Sequence, residues 1–353
     1  MPLFSVLIPS YNRPEVIGKS VESVLSNDFH DFELVISDDK SPRQEDIVRT
    51  LQPFLRDSRV HLHLQSSNLG EPGNRDFLFQ KASGEWLIAL CDDDLLYPNT
   101  LSTLTRAIES HPGAGIYAFG YTIIDEFDRV RYSRRAPKPL RVSIHHPRLS
   151  RELIVSETFP FWMYHPATFC AKKEVHRKIK SNSNVGIGDD FMFMIDFINL
   201  GGIIQIVPAV LMCYRKSASS APNTQLNLSS GELPQLIARA KIMNQLLLRT
   251  DFHPAIADFV KSRECRNRLL YDSVLWSGLK IDDAPEMLEL SPEAMAELNL
   301  YAKRRPRELY RIWLSLRRVL FFFSIFGLAG LRESANVLLT RLANHKFLDT
   351  VKV

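Results

Sequence analysis

Short apolar runs alternate with stretches of helical periodicity through the first 120 residues. Phe4–Ile8, Phe32–Ser37, Val60–Gln65, Trp86–Cys91 and Gly115–Tyr121 read as strands. Between them, Val16, Ile17, Val21, Val24 and Leu25 share one helix face, as do Ile47, Val48, Leu51, Phe54 and Leu55. A third helix is expected from Pro72 to Lys81. A fourth is expected from Pro98 or Asn99, carrying Leu101, Leu104 and Ile108. This alternation predicts an α/β fold with a parallel sheet and right-handed crossovers. Residues 121–158 are polar, basic and proline-containing and are expected to form a long irregular loop. Strands follow near Thr168–Ala171 and Ile203–Ile206, with a helix over Phe191–Asn199. Between Lys216 and Glu232 the composition turns to Ser, Asn and Pro, and the pattern beyond is helical. The expected domains are therefore residues 1–220 and a helical region at 221–353.

Composition changes this picture little. The chain is 45% apolar and 24% charged, which is ordinary for a globular protein, and its net charge of +4 is small. Cys91, Cys170, Cys213 and Cys265 lie far apart with no CxxC pair, which predicts reduced thiols rather than disulfides or a zinc site. The N-terminus lacks a basic n-region and runs straight into a strand, so no signal peptide is expected.

The topology places several polar clusters at the C-terminal ends of the strands, where open α/β sheets bind ligands. Pro9-Ser10-Tyr11-Asn12 follows the first strand and Asp38-Asp39 the second. Asn68-Leu69-Gly70 follows the third, with Arg75 in the next helix, and Asp92-Asp93-Asp94 follows the fourth. Adjacent carboxylates repel one another unless a cation neutralises them, and Mg²⁺ or Mn²⁺ would favour their oxygens together with substrate phosphates. There is no GxGxxG after the first strand and no GxxxxGK[ST] anywhere. Both a dinucleotide-binding Rossmann site and a P-loop are thus disfavoured.

The ordered series Val6-Leu7-Ile8-Pro9-Ser10-Tyr11-Asn12, Glu33-Leu34-Val35-Ile36-Ser37-Asp38-Asp39, Asn68-Leu69-Gly70, Ala82-Ser83-Gly84-Glu85-Trp86 and Asp92-Asp93-Asp94 resembles the inverting family 2 glycosyltransferases, which have a GT-A fold. The resemblance covers roughly residues 3–220. It implies that Pro9, Tyr11 and Asn12 line a nucleotide pocket and that Asp38 or Asp39 hydrogen-bonds the nucleobase. It implies that Asn68, Gly70 and Arg75 border the donor, that Asp92 and Asp93 lie beside it, and that Asp94 ligates the metal. Gly188-Asp189-Asp190-Phe191 resembles the family's acidic motif at a helix start, with Asp190 as general base and Asp189 beside it. Lys40 stands where glycine is common in the family. Tyr214-Arg215-Lys216 resembles a segment that usually continues to a histidine, but position 218 is Ala218, which leaves Arg215 or Lys216 to neutralise phosphate. No QxxRW motif occurs, which points away from the processive synthases.

The resemblance implies transfer of one sugar from a nucleotide-sugar, UDP-linked, to a saccharide acceptor carried on polyprenyl diphosphate, in O-antigen or capsule synthesis. His165-Pro166, next to Phe161-Trp162-Met163-Tyr164, is either a structural turn or an acceptor platform. Near the C-terminus, Lys303, Arg304, Arg305, Arg307, Arg311, Arg317 and Arg318 precede the apolar run Val319–Leu331. That run is shorter than the roughly 20 residues a spanning helix needs. It suits either a helix lying on the cytoplasmic face of an inner membrane or one docked on the catalytic domain. No nucleic-acid-binding motif accompanies the charge, so no nucleic-acid partner is expected. The rival readings are a sugar-1-phosphate nucleotidyltransferase and a catalytically silent nucleotide-sugar-binding protein.

Overall fold

A computed structural model describes residues 1–134, 140–144, 168–179, 189–215, 246, 249–261, 292 and 296. The chain divides into two compact units, Met1–Ser291 and Pro292–Val353, and all the helices and strands named here belong to the first. In chain order its elements begin with β1 (Phe4–Ser10), α1 (Pro14–Leu25), β2 (Phe32–Asp38), α2 (Gln44–Leu51), β3 (Val60–Leu64), α3 (Gly70–Lys81) and β4 (Trp86–Ala89). There follow β5 (Leu95–Leu96), α4 (Thr100–Ser110), β6 (Ile116–Ile124), β7 (Val130–Arg134) and β8 (Leu140–Val142). Last come β9 (Phe169–Lys172), α5 (Lys173–Lys178), α6 (Asp189–Asn199), β10 (Ile204–Arg215) and α7 (Pro254–Lys261).

The strands make one sheet in the order β3-β2-β1-β4-β9-β6-β10-β5, with β7 beside β6 and β8 beside β10. β3, β2, β1 and β4 pair in parallel, as the alternating pattern requires. Their central members are buried on both faces, and Ile17, Val21 and Val24 of α1 cover one of them. The packing is close enough that Gly84 is obligatory. A Cβ there would lie 2.7 Å from the main chain of Phe4 and Ser5, and its amide donates to Ser5 Oγ at 2.8 Å.

Three expectations need correction. The sheet is mixed rather than parallel, because β9 inserts antiparallel between β4 and β6 and β5 runs antiparallel to β10. The segment after residue 121 is not wholly irregular. β6 runs on to Ile124, and β7 and β8 form edge strands whose arginines, Arg131, Arg134 and Arg141, hide their strand character. The strand expected to stop at Ile206 continues to Arg215. Pro208, which reads as a break, sits where β10 shifts register against β6 between Ile206 and Val210, a bulge that needs no amide from it. That extension carries Tyr214 and Arg215 to the C-terminal edge of the sheet.

Candidate active site

β1 and β4 end side by side, so the Pro9–Arg13 turn and the Asp92–Asp94 triplet meet at one edge. Asp92, Asp93 and Asp94 are all buried. Arg13 Nη1 lies 3.0 Å from Asp92 Oδ1 and 2.8 Å from Asp93 Oδ2. Ser20 Oγ of α1 donates to the Asp92 carbonyl at 2.8 Å, fixing the turn against the helix. From the other side, the Arg215 amide donates to Asp94 Oδ1 at 2.8 Å and its Nε to the Asp93 carbonyl at 2.8 Å. Its Nη1 reaches the Asp125 carbonyl at 2.9 Å, and its Nη2 pairs with Asp128. Asp125 in turn folds the β6–β7 turn by accepting from Arg129 and Arg131.

Burial disfavours the ionised acids. It pushes Asp92 up to about 7 against the pull of Arg13 and the Tyr11 amide. Asp93 is raised by burial against Arg13, and Asp94 is raised well above the carboxylate range by burial and by Asp93. Ligand atoms of Cys91, Asp93 and Asp94 lie within 4.8 Å of one another. Crowded, desolvated oxygens of this kind fit a hard divalent cation such as Mg²⁺ or Mn²⁺, for which a thiol is the poorer ligand. Burial and the neighbouring acids also raise the Cys91 thiol, keeping it protonated.

Beside this centre, Asp38 accepts from the Ser41 amide at 3.1 Å, from Ser41 Oγ, and from Gln44 Nε2 at 2.7 Å. Asp39 Oδ1 accepts the Leu69 amide at 2.7 Å, and Asn68 Nδ2 donates to the Asp39 carbonyl at 3.1 Å. Asn68 Oδ1 accepts the Gly70 amide at 3.0 Å, and Gly70 has the positive φ of 73° that a side chain would resist. Asn12 and Lys40 also adopt left-handed conformations, at φ 58° and 57°. The backbone at Lys40 explains why glycine suits that position. Tyr11 is 48% exposed and free to offer a ring face to a ligand. Arg75 is buried in α3, where it pairs with Glu71 at 3.2 Å.

The expected residues Pro9, Tyr11, Asn12, Asp38, Asp39, Asn68, Gly70, Asp92, Asp93, Asp94 and Arg215 thus stand on the strand ends and following turns of one sheet, and Arg75 lies within the helix that Gly70 begins. Asp189 and Asp190 begin α6, but their side chains lie outside the described residues, as do His165 and Lys216. The course of α6 is clear. Phe193 stacks on Phe169, which starts β9 beside the C-terminal end of β4. Phe197 packs by Gly115 and Gly202 at the opposite edge. α6 therefore runs from the side of the triplet's edge toward the opposite edge. Sequence reasoning missed Arg13, although its place two residues after Tyr11 in an edge turn was a usable signal. It also missed Asp125 and Asp128, which nothing local distinguishes from an ordinary acidic turn.

Comparison with known proteins agrees with this architecture. Residues 5–180 match the model for Glycosyl transferase family 2. A stretch of 128 residues is 34% identical to the GalNAc(5)-diNAcBac-PP-undecaprenol beta-1,3-glucosyltransferase of Campylobacter jejuni, covering 36% of this chain and 40% of that protein. The similarity thus spans less than half the length of that relative. Among solved structures, S. aureus TarS in complex with UDP superposes with a TM-score of 0.59 at 15% identity, covering 84% of this chain and 82% of that one. The mannosyltransferase PcManGT from Pyrobaculum calidifontis, in complex with GDP-Man and Mn²⁺, superposes at 0.55 and 15% identity, covering 90% and 84%. At such identities these structures speak for the fold alone, the α/β GT-A architecture. Through residues 5–180, the chain belongs to glycosyl transferase family 2.

Proposed function

We propose that the chain moves a single sugar from a UDP-sugar to a saccharide acceptor, with inversion at the anomeric carbon. The observation that carries this reading is the buried Asp92–Asp94 triplet at the same sheet edge as the Asp38-Asp39 and Asn68–Gly70 turns. Asp39 is the better base-recognition candidate of the two acids, since both oxygens of Asp38 already accept from Ser41 and Gln44. The exposed ring of Tyr11 would border the nucleoside. Asp94, with Asp93, would hold Mg²⁺ or Mn²⁺. When bound, such an ion neutralises charge on the departing diphosphate. Asp190 takes the proton from the acceptor hydroxyl as that oxygen bonds to the anomeric carbon and the bond to the diphosphate oxygen breaks. The direction of α6 supports this role, because the helix begins on the side of the triplet's edge.

The acceptor proposed is a saccharide on polyprenyl diphosphate, in surface polysaccharide synthesis. The name of the Campylobacter relative, which specifies an undecaprenol-linked substrate, supports it. The proposal retains a catalytic domain at 1–220 and a helical region at 221–353. It has residues 303–331, which lie outside the described residues, rest peripherally on the cytoplasmic face of the inner membrane. No helix among the described residues is long and apolar enough to cross a membrane.

The test is incubation with UDP-sugars, Mn²⁺ and a lipid-diphosphate acceptor, with release of UDP as the readout. Asp190→Asn is expected to abolish transfer and keep donor binding, whereas Asp94→Ala weakens metal-dependent donor binding. Near-wild-type turnover in Asp190→Asn would remove the base assignment. Liposome flotation with and without 303–331 tests the membrane role, and equal partitioning would discard it.

A further inference from the structure

A single guanidinium nitrogen of Arg13 bridges two of the three triplet carboxylates, Asp92 and Asp93. Arg215 does something different. Its guanidinium goes to two main-chain carbonyls and to Asp128, leaving the triplet's side chains to others. Asp93 consequently has two claims on it: it touches Arg13, and it contributes to the cluster with Cys91 and Asp94 that suits a cation. With all three carboxylates ionised, the state a bound divalent ion would favour, Arg13 would leave two negative charges for that ion to cancel. Arg13 itself is only part-buried, its side chain 32% exposed, so it has room to turn outward. Burial works against its charge, but Asp92 and Asp93 outweigh that and raise its pKa.

We propose that Arg13 is a resident counter-charge that competes with the divalent cation for Asp93. On cation loading it surrenders that carboxylate and turns toward the donor's diphosphate. This inference rests on the triplet being a metal site. A guanidinium fork matches phosphate oxygens as well as it matches carboxylates, so the arginine exchanges one anion for another. Metal and donor are then linked through one side chain, and each raises the other's affinity by the same factor.

Mn²⁺ affinity without nucleotide, measured by electron paramagnetic resonance, tests the competition. Arg13→Gln is expected to bind Mn²⁺ about tenfold more tightly than wild type, since a close positive charge is gone. It is also expected to bind UDP more weakly, with Arg13→Lys between the two on both measures. A residue that merely braced the turn would give equal or weaker Mn²⁺ binding on removal, and that result overturns the proposal. Should Arg13→Gln fail to fold, Mg²⁺ titration of the wild-type chain reads the same event through the ¹⁵N resonance of the Arg13 guanidinium, assigned by its loss in Arg13→Lys. An unchanged resonance at saturating Mg²⁺ also overturns it. If wild type, Arg13→Gln and Asp94→Ala all fail to bind the ion, the metal site itself is wrong and the counter-charge falls with it. Equal binding by wild type and Arg13→Gln, lost in Asp94→Ala, sinks only the inference about Arg13.

Discussion

Asp38 receives its three hydrogen bonds from Ser41 and Gln44, three and six residues along the chain. Asp94 receives the amide of Arg215, 121 residues away. The Asp38 side of the edge is thus assembled by a turn and the first residue of α2, neutral donors already present when those few residues fold. The triplet is assembled by tertiary structure, with the whole charge of Arg13 against Asp92 and Asp93 on one flank and, on the other, Arg215, whose amide holds Asp94 and whose guanidinium turns to the Asp93 carbonyl and Asp128. Neighbouring acids in one crevice therefore obey different rules. The first is a matter of local hydrogen bonds, the second of desolvated charge waiting for more positive charge.

The sharpest break between the two should come from pH. In EDTA-treated protein, burial holds Asp92 near 7 against an ordinary value of 3.8. Between those values the folded chain keeps a proton that the unfolded chain has lost. Stability is therefore full below about pH 4 and declines as pH rises through about 7. A loss of roughly 2–4 kcal/mol between pH 5 and 8 is expected in urea unfolding, and Mn²⁺ should restore it at the alkaline end. A flat profile in EDTA would contradict the charged character of the triplet. Next in size, Arg215→Gln takes a buried guanidinium from the Asp93 and Asp125 carbonyls and leaves Asp128 to Lys19 alone, for about 2–3 kcal/mol in the same assay. The figure is discounted because Asp128 is 38% exposed. Less costly is Asp38→Ala, at about 1–2 kcal/mol, because it orphans only neutral donors. Mn²⁺ affinity should be untouched in that variant, and a change would show that the two clusters are coupled after all. Smallest is Lys40→Gly, which relieves a left-handed lysine and should stabilise by roughly 0.5 kcal/mol, read as a small rise in Tm.

The same divide governs what could be read from the residues alone. β1, β2 and β4 and the turns after them follow from short apolar runs ended by polar clusters, and their ends fall within a few residues of expectation. The α/β class followed too. The insertion of β9 did not, since a four-residue strand between β4 and β6 carries no direction in its sequence. Nor did the continuation of β10, because Pro208 mimics a stop unless one knows that a bulge lies there. Arg13 and Arg215 were both visible as basic residues, but their anionic partners are set by which strand ends adjoin. Tertiary pairing of that kind leaves no periodicity to detect.

One consequence lies in the bond from residue 215 to Asp94. The donor is the peptide nitrogen, so nineteen genetic choices at that codon preserve the tether, however badly some serve Asp125 and Asp128. Proline alone abolishes it, having no hydrogen to give. Substituting proline and glutamine there in parallel would therefore separate what the main chain does for the aspartate from what the side chain does for its surroundings.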